Sequence, residues 1–350
     1  MKNKRIRINR ILIRNYKGID ELELDFTAPK MPSDPDLMVM GSENGIGKTS
    51  VIECCALLLL SLSPNFGNDT LIGMERYSSI DIYDLLIRAG ADNIEIFGDI
   101  VYDSETLKDV GIRIHRSGTV EKFLRMEQEH TQNRYAFELV KSICGFNSNP
   151  VMEDLFLLFH SYRKVQEGNL ELGMMIDHVK RRLIRGRNSY DSPMNVFKLR
   201  ILRSIMSNAN LFDKVDENES DYVIEKLNDL VKIYAGGEIG KLRPSVDNTI
   251  DFRINPINNE SQTFSFDGLS SGQKEIISTL FLIWYHTKDN PSVVFIDEPE
   301  LHLNSQCHSG FVNALTRIAP QNQYILATHS EYIMDSVEKY QRIFISSGDK

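Results

Sequence analysis

A glycine-rich loop ending in Gly47-Lys48-Thr49 has residue types and a spacing that suit phosphate binding. It follows the apolar run 37–40 and precedes the apolar segment 51–60, which predicts a buried strand, a turn and a helix. Glycines let backbone N–H groups face phosphate oxygens, and the helix N-terminus adds partial positive charge. Lys48 is placed to reach the β- and γ-phosphates of a nucleotide, and the Thr49 hydroxyl to hold Mg²⁺. The alternative is a plain strand-to-helix turn with a solvated lysine.

Two carboxylates, Asp297 and Glu298, directly follow the run 292–296, which predicts a strand buried on both faces. The carboxyl ends of parallel strands form the edge at which α/β sheets bind ligands. Asp297 is therefore predicted to contact Mg²⁺, directly or through water. Glu298 is predicted to be the general base that polarises an attacking water. A helix cap before Pro299 is the alternative interpretation of these acids.

Two further segments have chemistry that fits a nucleotide site. Ser270 and Gly272 stand just before an apolar helix, where their N–H groups could contact a second phosphate. A simple helix N-cap is the alternative for this segment. His329 follows the apolar strand 324–327 and could donate a hydrogen bond to a γ-phosphate, although a histidine there is also common as a surface residue.

The composition is that of a soluble globular protein: 350 residues, 41% hydrophobic and 25% charged, with a net charge of −9. This negative charge excludes a general polyanion binder, so nucleic-acid contact depends on a local basic stretch, for which 180–187 is the candidate. A solvated helix face or a docking face for an acidic partner fits that stretch equally well. No apolar run reaches the ~18 residues that span a membrane. No two of the four cysteines form a CxxC pair, so a cytoplasmic protein with reduced thiols is predicted.

The pattern of strands and helices predicts an α/β fold in three parts. Residues 1–126 hold the glycine loop and a small antiparallel layer of strands. Residues 127–240 form a helical insertion, with helices predicted at 152–159 and 221–235 among others. Residues 241–350 hold the remaining motifs on alternating strands and helices.

The order of the four segments resembles that of the ABC-type ATPases. The glycine loop resembles the Walker A motif, and residues 269–273 resemble the ABC signature. Asp297-Glu298 resembles the Walker B motif with its catalytic glutamate, and His329 resembles the switch histidine. The resemblance implies an ABC-ATPase P-loop core with a mixed or parallel sheet, ATP and Mg²⁺ as ligands, and catalytic roles for Lys48, Glu298 and His329. It assigns nucleotide contacts to Asn44, Gly45, Ile46, Gly47, Lys48, Thr49, Ser50, Ser270, Gly272 and Gln273.

Two further segments place the resemblance in the SMC/RecF/OLD-like group. Segment 13–19 is similar to the N-terminal motif of SMC/RecF-like ATPases, which implies that Lys17 brings a cation near the phosphates. Segment 297–303 is similar to the extended Walker B region of OLD-type ATPases of phage defence and DNA repair. The family's Q-loop glutamine, a Mg²⁺ ligand, is assigned to Gln166, with Arg163 as an alternative phosphate contact.

Such ATPases share each ATP site between two subunits, so the resemblance implies an ATP-dependent head-to-tail dimer of two copies. Glu298→Gln is then expected to accumulate the dimer. Two functions remain open. One is an ATPase subunit that controls a separate effector, such as a nuclease, in anti-phage defence or DNA repair. The other is a RecF-like clamp that binds DNA. A transporter motor on a membrane is disfavoured by segments 13–19 and 297–303.

Overall fold

The computed structural model of the chain comprises two compact units. The first holds Met1–Arg163, His286–Leu301 and Ser305–Lys350, and the second holds Lys164–Tyr285 and His302–Asn304. The structure describes residues 6–41, 47–62, 82–103, 105–123, 139–140, 143–144, 151–152, 155–161, 217–244, 250–257, 262–301 and 303–346. The predicted division of the chain near residues 126 and 240 stays a prediction.

Strands and helices are numbered along the chain. The described strands are β1 (Ile6–Tyr16), β2 (Ile19–Asp25), β3 (Asp36–Gly41), β4 (Asn93–Tyr102), β5 (Glu105–His115), β6 (Val120–Phe123), β7 (Val151–Met152), β8 (Phe156–Phe159), β9 (Gly237–Pro244), β10 (Ile250–Pro256), β11 (Phe264–Ser265), β12 (Val293–Asp297), β13 (Gln323–Thr328) and β14 (Arg342–Phe344). The described α-helices are α1 (Lys48–Ser61), α2 (Ile82–Leu86), α3 (Glu217–Ala235), α4 (Ser271–Thr287), α5 (Ser305–Ile318) and α6 (Glu331–Asp335). Within the described ranges, no helix is both long enough and apolar enough to cross a membrane.

A six-stranded sheet with the strand order β14-β3-β13-β12-β8-β7 forms one layer of the first unit. Its neighbouring strands are parallel from β14 to β8, and β7 is antiparallel to β8. The central strands β3, β13 and β12 are buried along their whole length. Strands covered on both faces need continuous apolar sequence, which is the pattern that predicts them. The predicted P-loop core with a mixed or parallel sheet is confirmed.

One prediction within this sheet is wrong. The sequence predicts a helix at 152–159, but the structure forms β7 and β8 there, and β8 pairs in parallel with β12. Residues 155–159 form a run of only five apolar residues, and periodicity cannot separate a buried strand from a buried helix in so short a run. The segment expected as part of a helical insertion therefore contributes two strands to the core sheet.

A five-stranded antiparallel sheet with the order β2-β1-β4-β5-β6 forms the second layer of this unit. Along β1 and β4, buried residues alternate with more exposed ones that include Arg14 and Glu95, as is typical of an antiparallel sheet with one solvated face. The predicted antiparallel layer is confirmed. On the outer face, Arg10 and Arg14 each pair with carboxylates from neighbouring strands, including Asp99 and Glu95. The positive charges of these two arginines are therefore already matched within the sheet.

Helix α1 packs between the two sheets of the first unit. It contacts β8, β12 and β13 on one side and β1, β4 and β5 on the other. The segment 51–60 is apolar on nearly every face, and a helix without a polar stripe is stable only when it is buried on all sides. Its thiols Cys54 and Cys55 are buried and free, and burial raises the pKa of both, which makes them unreactive.

The side chain of Gln323 joins the two sheets at the end of β13 opposite to the motifs. Its amide oxygen accepts the Ile8 N–H at 2.8 Å, and its amide nitrogen donates to the Ile8 carbonyl at 2.9 Å. β2 pairs with β1 only as far as Arg10, so Ile8 lies beyond that pairing. Gln323 therefore satisfies two backbone groups of a residue that is fully buried.

We expect Gln323→Leu to lower the free energy of unfolding by about 3 kcal/mol, because the substitution leaves a buried N–H and a buried C=O without their partner. Urea unfolding of the two proteins measures this difference. Gln262→Leu, at an exposed position, is the matched control and should change stability by less than about 0.5 kcal/mol. Equal stability of Gln323→Leu and the wild type would contradict this account of Gln323.

The second unit contains a three-stranded antiparallel sheet with the order β11-β10-β9. Helix α3 packs against β9, and its Asn228 side chain accepts the Ile239 N–H at 2.9 Å. The predicted helix at 221–235 is confirmed by α3. A short 3-10 turn at Phe266–Gly268 then leads the chain into α4.

Candidate nucleotide-binding site

Four neighbouring parallel strands end at one edge of the six-stranded sheet, and three of them lead to predicted site residues. β3 leads towards the glycine loop, and β12 ends at Asp297. β13 ends one residue before His329, and β8 ends one residue before His160. The register aligns these ends, since Gly41 lies opposite Thr328. The carboxyl edge of a parallel sheet is the ligand-binding edge of α/β folds, so the predicted residues meet where such a site is expected.

Lys48 is the first residue of α1 and is 5% exposed. Gly47 precedes it as the N-cap with a φ of 89°, a left-handed conformation that favours glycine. The Lys48 Nζ lies 3.4 Å from the Nδ1 of His329. Because an ammonium can only donate, Nδ1 is the acceptor, and the ring proton is assigned to Nε2. His329 itself is exposed, so its Nε2–H is available as a donor.

The Lys48 ammonium lies at the N-terminal end of α1, near three carboxylates. Burial lowers the pKa of Lys48, while the carboxylates of Asp297, Glu298 and Glu300 act in the opposite direction. The first N–H groups of α1 lack partners within the helix and point the same way as the positive end of its dipole. A phosphate at this helix end would interact with both the ammonium and these N–H groups.

Thr49 and Asp297 form the candidate metal site. The Thr49 hydroxyl donates to Asp297 Oδ2 at 2.9 Å, and Asp297 is 1% exposed at the end of β12. Within the described residues, no three His, Cys, Asp or Glu side chains cluster as a metal site. Mg²⁺ in nucleotide sites uses few protein oxygens and completes its shell with phosphate and water. A hydroxyl and a carboxylate in contact fit that requirement.

Glu298 has an unusual backbone conformation. Its φ is 51°, in the left-handed region that non-glycine residues seldom adopt. Two hydrogen bonds hold it: its N–H donates to Ala327 at 2.8 Å, and its carbonyl accepts the Leu301 N–H at 3.0 Å. Strained backbone of this kind persists where the surrounding structure fixes it, and it is concentrated at functional sites. At this turn the chain leaves the direction of β12, directly after Asp297, the residue predicted to contact Mg²⁺.

A buried polar cluster next to Asp297 is not found by motif reasoning. His160 Nδ1 lies 3.8 Å from Asp297 Oδ2, and its Nε2 lies 3.4 Å from Glu53 Oε1. Glu53 accepts hydrogen bonds from the Tyr16 hydroxyl at 2.9 Å and from Lys17 Nζ at 2.6 Å. His160 follows the strand that the sequence assigns to a helix, so only the sheet topology brings it to Asp297.

Lys17 therefore occupies a different environment from the one predicted for it. The resemblance places it near the phosphates, whereas its ammonium pairs with Glu53 and also lies 3.4 Å from the Ile143 carbonyl. Its φ of 49° and that of Asn15 at 57° shape the turn between β1 and β2. A contact between Lys17 and a phosphate requires the ion pair with Glu53 to open, and it stays a prediction.

Other predicted residues lie outside the described part of the chain. They are Asn44, Gly45 and Ile46 of the glycine loop, Arg163 and Gln166, and the basic stretch 180–187.

The signature segment belongs to the second unit. Ser270 and Gln273 form a reciprocal cap at the start of α4, in which Gln273 Oε1 accepts the Ser270 N–H at 3.1 Å and Ser270 Oγ accepts the Gln273 N–H at 3.3 Å. Gln273 also donates to the Tyr234 carbonyl at 2.9 Å. The N-cap interpretation of Ser270 thus holds, and Ser270 and Ser271 are nonetheless exposed. Their surface position leaves the start of α4 accessible to a ligand or to another protein.

The fold and this arrangement of motifs define a P-loop ATPase. The model of one family, described as "AAA domain, putative AbiEii toxin, Type IV TA system", matches residues 157–335, and the model of a second, described as "AAA domain", matches residues 10–234. The chain belongs to the AAA-domain family. Its predicted identity as an SMC/RecF/OLD-like ATPase is confirmed, and members of these families typically bind ATP with Mg²⁺ and hydrolyse it.

Two relatives are similar to this chain in sequence. Over 53 residues it is 43% identical to the Septu protein PtuA of Bacillus mycoides (strain KBAB4), a match that covers 15% of this chain and 7% of that protein. Over 406 aligned positions it is 20% identical to the Retron Vc95 probable ATPase of Vibrio cholerae serotype O1 biovar El Tor. That alignment covers 99% of this chain and 75% of the relative. This chain therefore spans a small part of the first relative and most of the second.

Two solved structures are similar to this chain in fold. They are the Smc head bound to the C-winged helix domain of ScpA, and the Smc head with an extended coiled coil from Pyrococcus furiosus bound to the C-terminal domain of ScpA. Each superposition has a TM-score of 0.54. It covers 98% of this chain and 94% of the Smc chain. The sequence identities are 16% and 15%, so the likeness is one of architecture.

Proposed function

We propose that the chain binds Mg·ATP at the carboxyl edge of its six-stranded sheet and hydrolyses it to ADP and phosphate. The observation that carries this proposal is the convergence of Lys48, Thr49, Asp297 and His329 at aligned strand ends, with contacts of 3.4 Å and 2.9 Å between them. Three motifs that are far apart in sequence meet at one site only when the sheet is formed.

Each side chain has a role that follows from its position. Lys48 neutralises phosphate charge at the helix end, and His329 donates from Nε2 to the terminal phosphate. Glu298 accepts a proton from the attacking water as general base. Thr49 and Asp297 hold the Mg²⁺, which when bound neutralises charge on the phosphate oxygens. His160 lies between Glu53 and Asp297, and in this proposal it restricts the orientation of the Asp297 carboxylate.

The proposal extends to a pair of chains that share their ATP sites. The exposed Ser270 and the start of α4 are accessible for contact with the nucleotide of a second copy. ATP then favours the closed pair and hydrolysis releases it, which is a population shift driven by phosphate contacts.

The proposed biological role is control of a separate effector, such as a nuclease, in anti-phage defence. Support comes from the relatives, one named a Septu protein and the other a retron ATPase. In this role ATP-dependent closure is the signal, and the effector is the part of the system that acts on the target.

Calorimetry with Mg·ATP and a phosphate-release assay test the enzymatic part of the proposal. We expect saturable binding and slow turnover, and we expect EDTA to abolish turnover because, without Mg²⁺, nothing neutralises the repulsion between the Asp297 carboxylate and the phosphates. Absence of ATP binding by the folded protein would contradict the proposal. Affinity purification from nuclease-treated lysate tests the effector: a stoichiometric partner encoded beside this chain is expected.

A RecF-like DNA clamp is the alternative, and it predicts that DNA stimulates the ATPase. The described arginines of the antiparallel sheet give it little support, because Arg10, Arg14 and Arg113 all pair with carboxylates there. Hydrogen bonds to Asp99 and Glu23 raise the pKa of Arg10, as expected for a guanidinium that is already paired with carboxylates. DNA-stimulated turnover with a steep salt dependence would favour the clamp.

A further inference from the structure

The carboxylate of Glu300 contacts the segment that carries His329. Its Oε2 accepts a hydrogen bond from the Thr328 hydroxyl at 2.7 Å, and its Oε1 accepts the backbone N–H of His329, also at 2.7 Å. Both distances are short, as is typical of hydrogen bonds to a charged acceptor. Glu300 comes from the turn after β12, so these bonds join the loop of Glu298 to the end of β13.

The same segment is closed by further hydrogen bonds. The Ser330 N–H donates to Thr328 Oγ1 at 2.9 Å, and Ser330 Oγ accepts the Ile333 N–H at 3.3 Å as the N-cap of α6. Ser330 Oγ also lies 2.8 Å from His308 Nδ1. Thr328 Oγ1 thus donates its proton to Glu300 and accepts the N–H of Ser330. These two hydrogen bonds together orient the Thr328 hydroxyl.

This network fixes the backbone of His329 and therefore the direction in which its side chain leaves the chain. With its backbone N–H bound to Glu300 and both neighbouring residues bonded, the backbone of His329 has little freedom to rotate. Its ring then lies with Nδ1 3.4 Å from Lys48 Nζ. Because His329 is exposed, packing around its side chain contributes little to holding it there.

We propose that Glu300 is a positioning residue that sets the orientation of His329 towards the phosphate end of the site. This inference rests on the proposed ATPase function. It gives Glu300 a role distinct from that of Glu298, although both acids lie in one turn: Glu298 acts on the water, and Glu300 acts through the backbone of residues 328–329. Coupling of this kind also means that a shift in the turn after β12 moves His329.

Glu300→Gln is the informative substitution, because it keeps size and shape but replaces one acceptor oxygen with an NH₂ group. The amide carries no charge and only its oxygen accepts, so the His329 N–H is left with at most a weaker, neutral acceptor, and the Thr328 hydroxyl has to reverse and accept from the NH₂ group. Loss of a hydrogen bond to a charged group corresponds to about tenfold in an equilibrium constant. Glu331→Gln, at an exposed position in α6, is the matched control.

Amide hydrogen exchange of the protein without nucleotide tests the positioning directly. We expect exchange at His329 and Ser330 to be about tenfold faster in Glu300→Gln and unchanged in Glu331→Gln. Thr328→Val, which removes only the hydroxyl, is a second variant and should accelerate exchange at Ser330. Unchanged exchange at His329 in Glu300→Gln would overturn the inference.

Steady-state kinetics then connect the positioning to turnover. We expect Glu300→Gln to lower kcat at least about tenfold with little change in KM, and to have no additional effect when His329 is already alanine. Additive losses in the double variant would overturn the inference. Failure of the wild type to bind ATP would refute the proposed function alone, since the exchange experiment needs no nucleotide.

Discussion

Glu298→Gln is expected to reduce ATP turnover by about a thousandfold while ATP binding is retained. The amide has nearly the shape of the carboxylate but cannot accept a proton from water, and loss of a general base typically costs 10²- to 10⁴-fold. Phosphate release under saturating Mg·ATP measures turnover, and calorimetry measures affinity. Glu331→Gln is the matched control and should behave as the wild type.

The structure supports the choice of Glu298 over the neighbouring acids. Asp297 is buried and bound to Thr49, whereas Glu298 is partly exposed and stands in a turn with a φ of 51°. Glu300 is occupied by the two hydrogen bonds of the 328–329 segment. A turnover close to that of the wild type in Glu298→Gln would contradict its role as the base.

Lys48→Met is expected to weaken ATP binding by at least about a hundredfold, because in the proposed site the ammonium supplies charge-assisted hydrogen bonds to the phosphates that a thioether cannot replace. Titration with a fluorescent ATP analogue measures the affinity. Lys339→Ala, at an exposed position near β14, removes an equal charge and should bind as the wild type does.

Folding is not expected to explain this loss. Burial lowers the pKa of Lys48, so the folded state disfavours its charged form relative to the unfolded state. At neutral pH the charge is therefore a small cost to stability, and the contribution of Lys48 becomes less unfavourable as the pH rises through its folded pKa. The nucleotide-free Lys48→Met protein should unfold at a temperature no lower than the wild type. Wild-type affinity in Lys48→Met would contradict the site.

The sequence predicts those parts of the site that depend on local pattern. Lys48 and Thr49 follow a glycine loop between a strand and a helix, and Asp297 follows a buried strand; each signal is contained in about ten neighbouring residues. The α/β class and the antiparallel layer follow from the same kind of pattern, because burial on one or both faces leaves a period in the sequence.

The sequence does not predict the parts that depend on strand order. His160 is a single histidine after five apolar residues, and it becomes relevant only because β8 lies beside β12 in the sheet. The two acceptor bonds of Glu300 depend on the ends of β12 and β13 being neighbours, which sequence spacing does not indicate. The pairing of Lys17 with Glu53 likewise depends on how α1 packs against β1.

The molar mass of Glu298→Gln with and without ATP tests the central claim most directly. Size-exclusion chromatography with light scattering should show a doubling of mass when Mg·ATP is added, because nucleotide that cannot be hydrolysed holds two copies together. Glu298→Gln combined with Ser270→Arg, which obstructs the start of α4, should keep its mass unchanged. A single mass for Glu298→Gln in both conditions, with ATP shown to be bound, would contradict the shared ATP site.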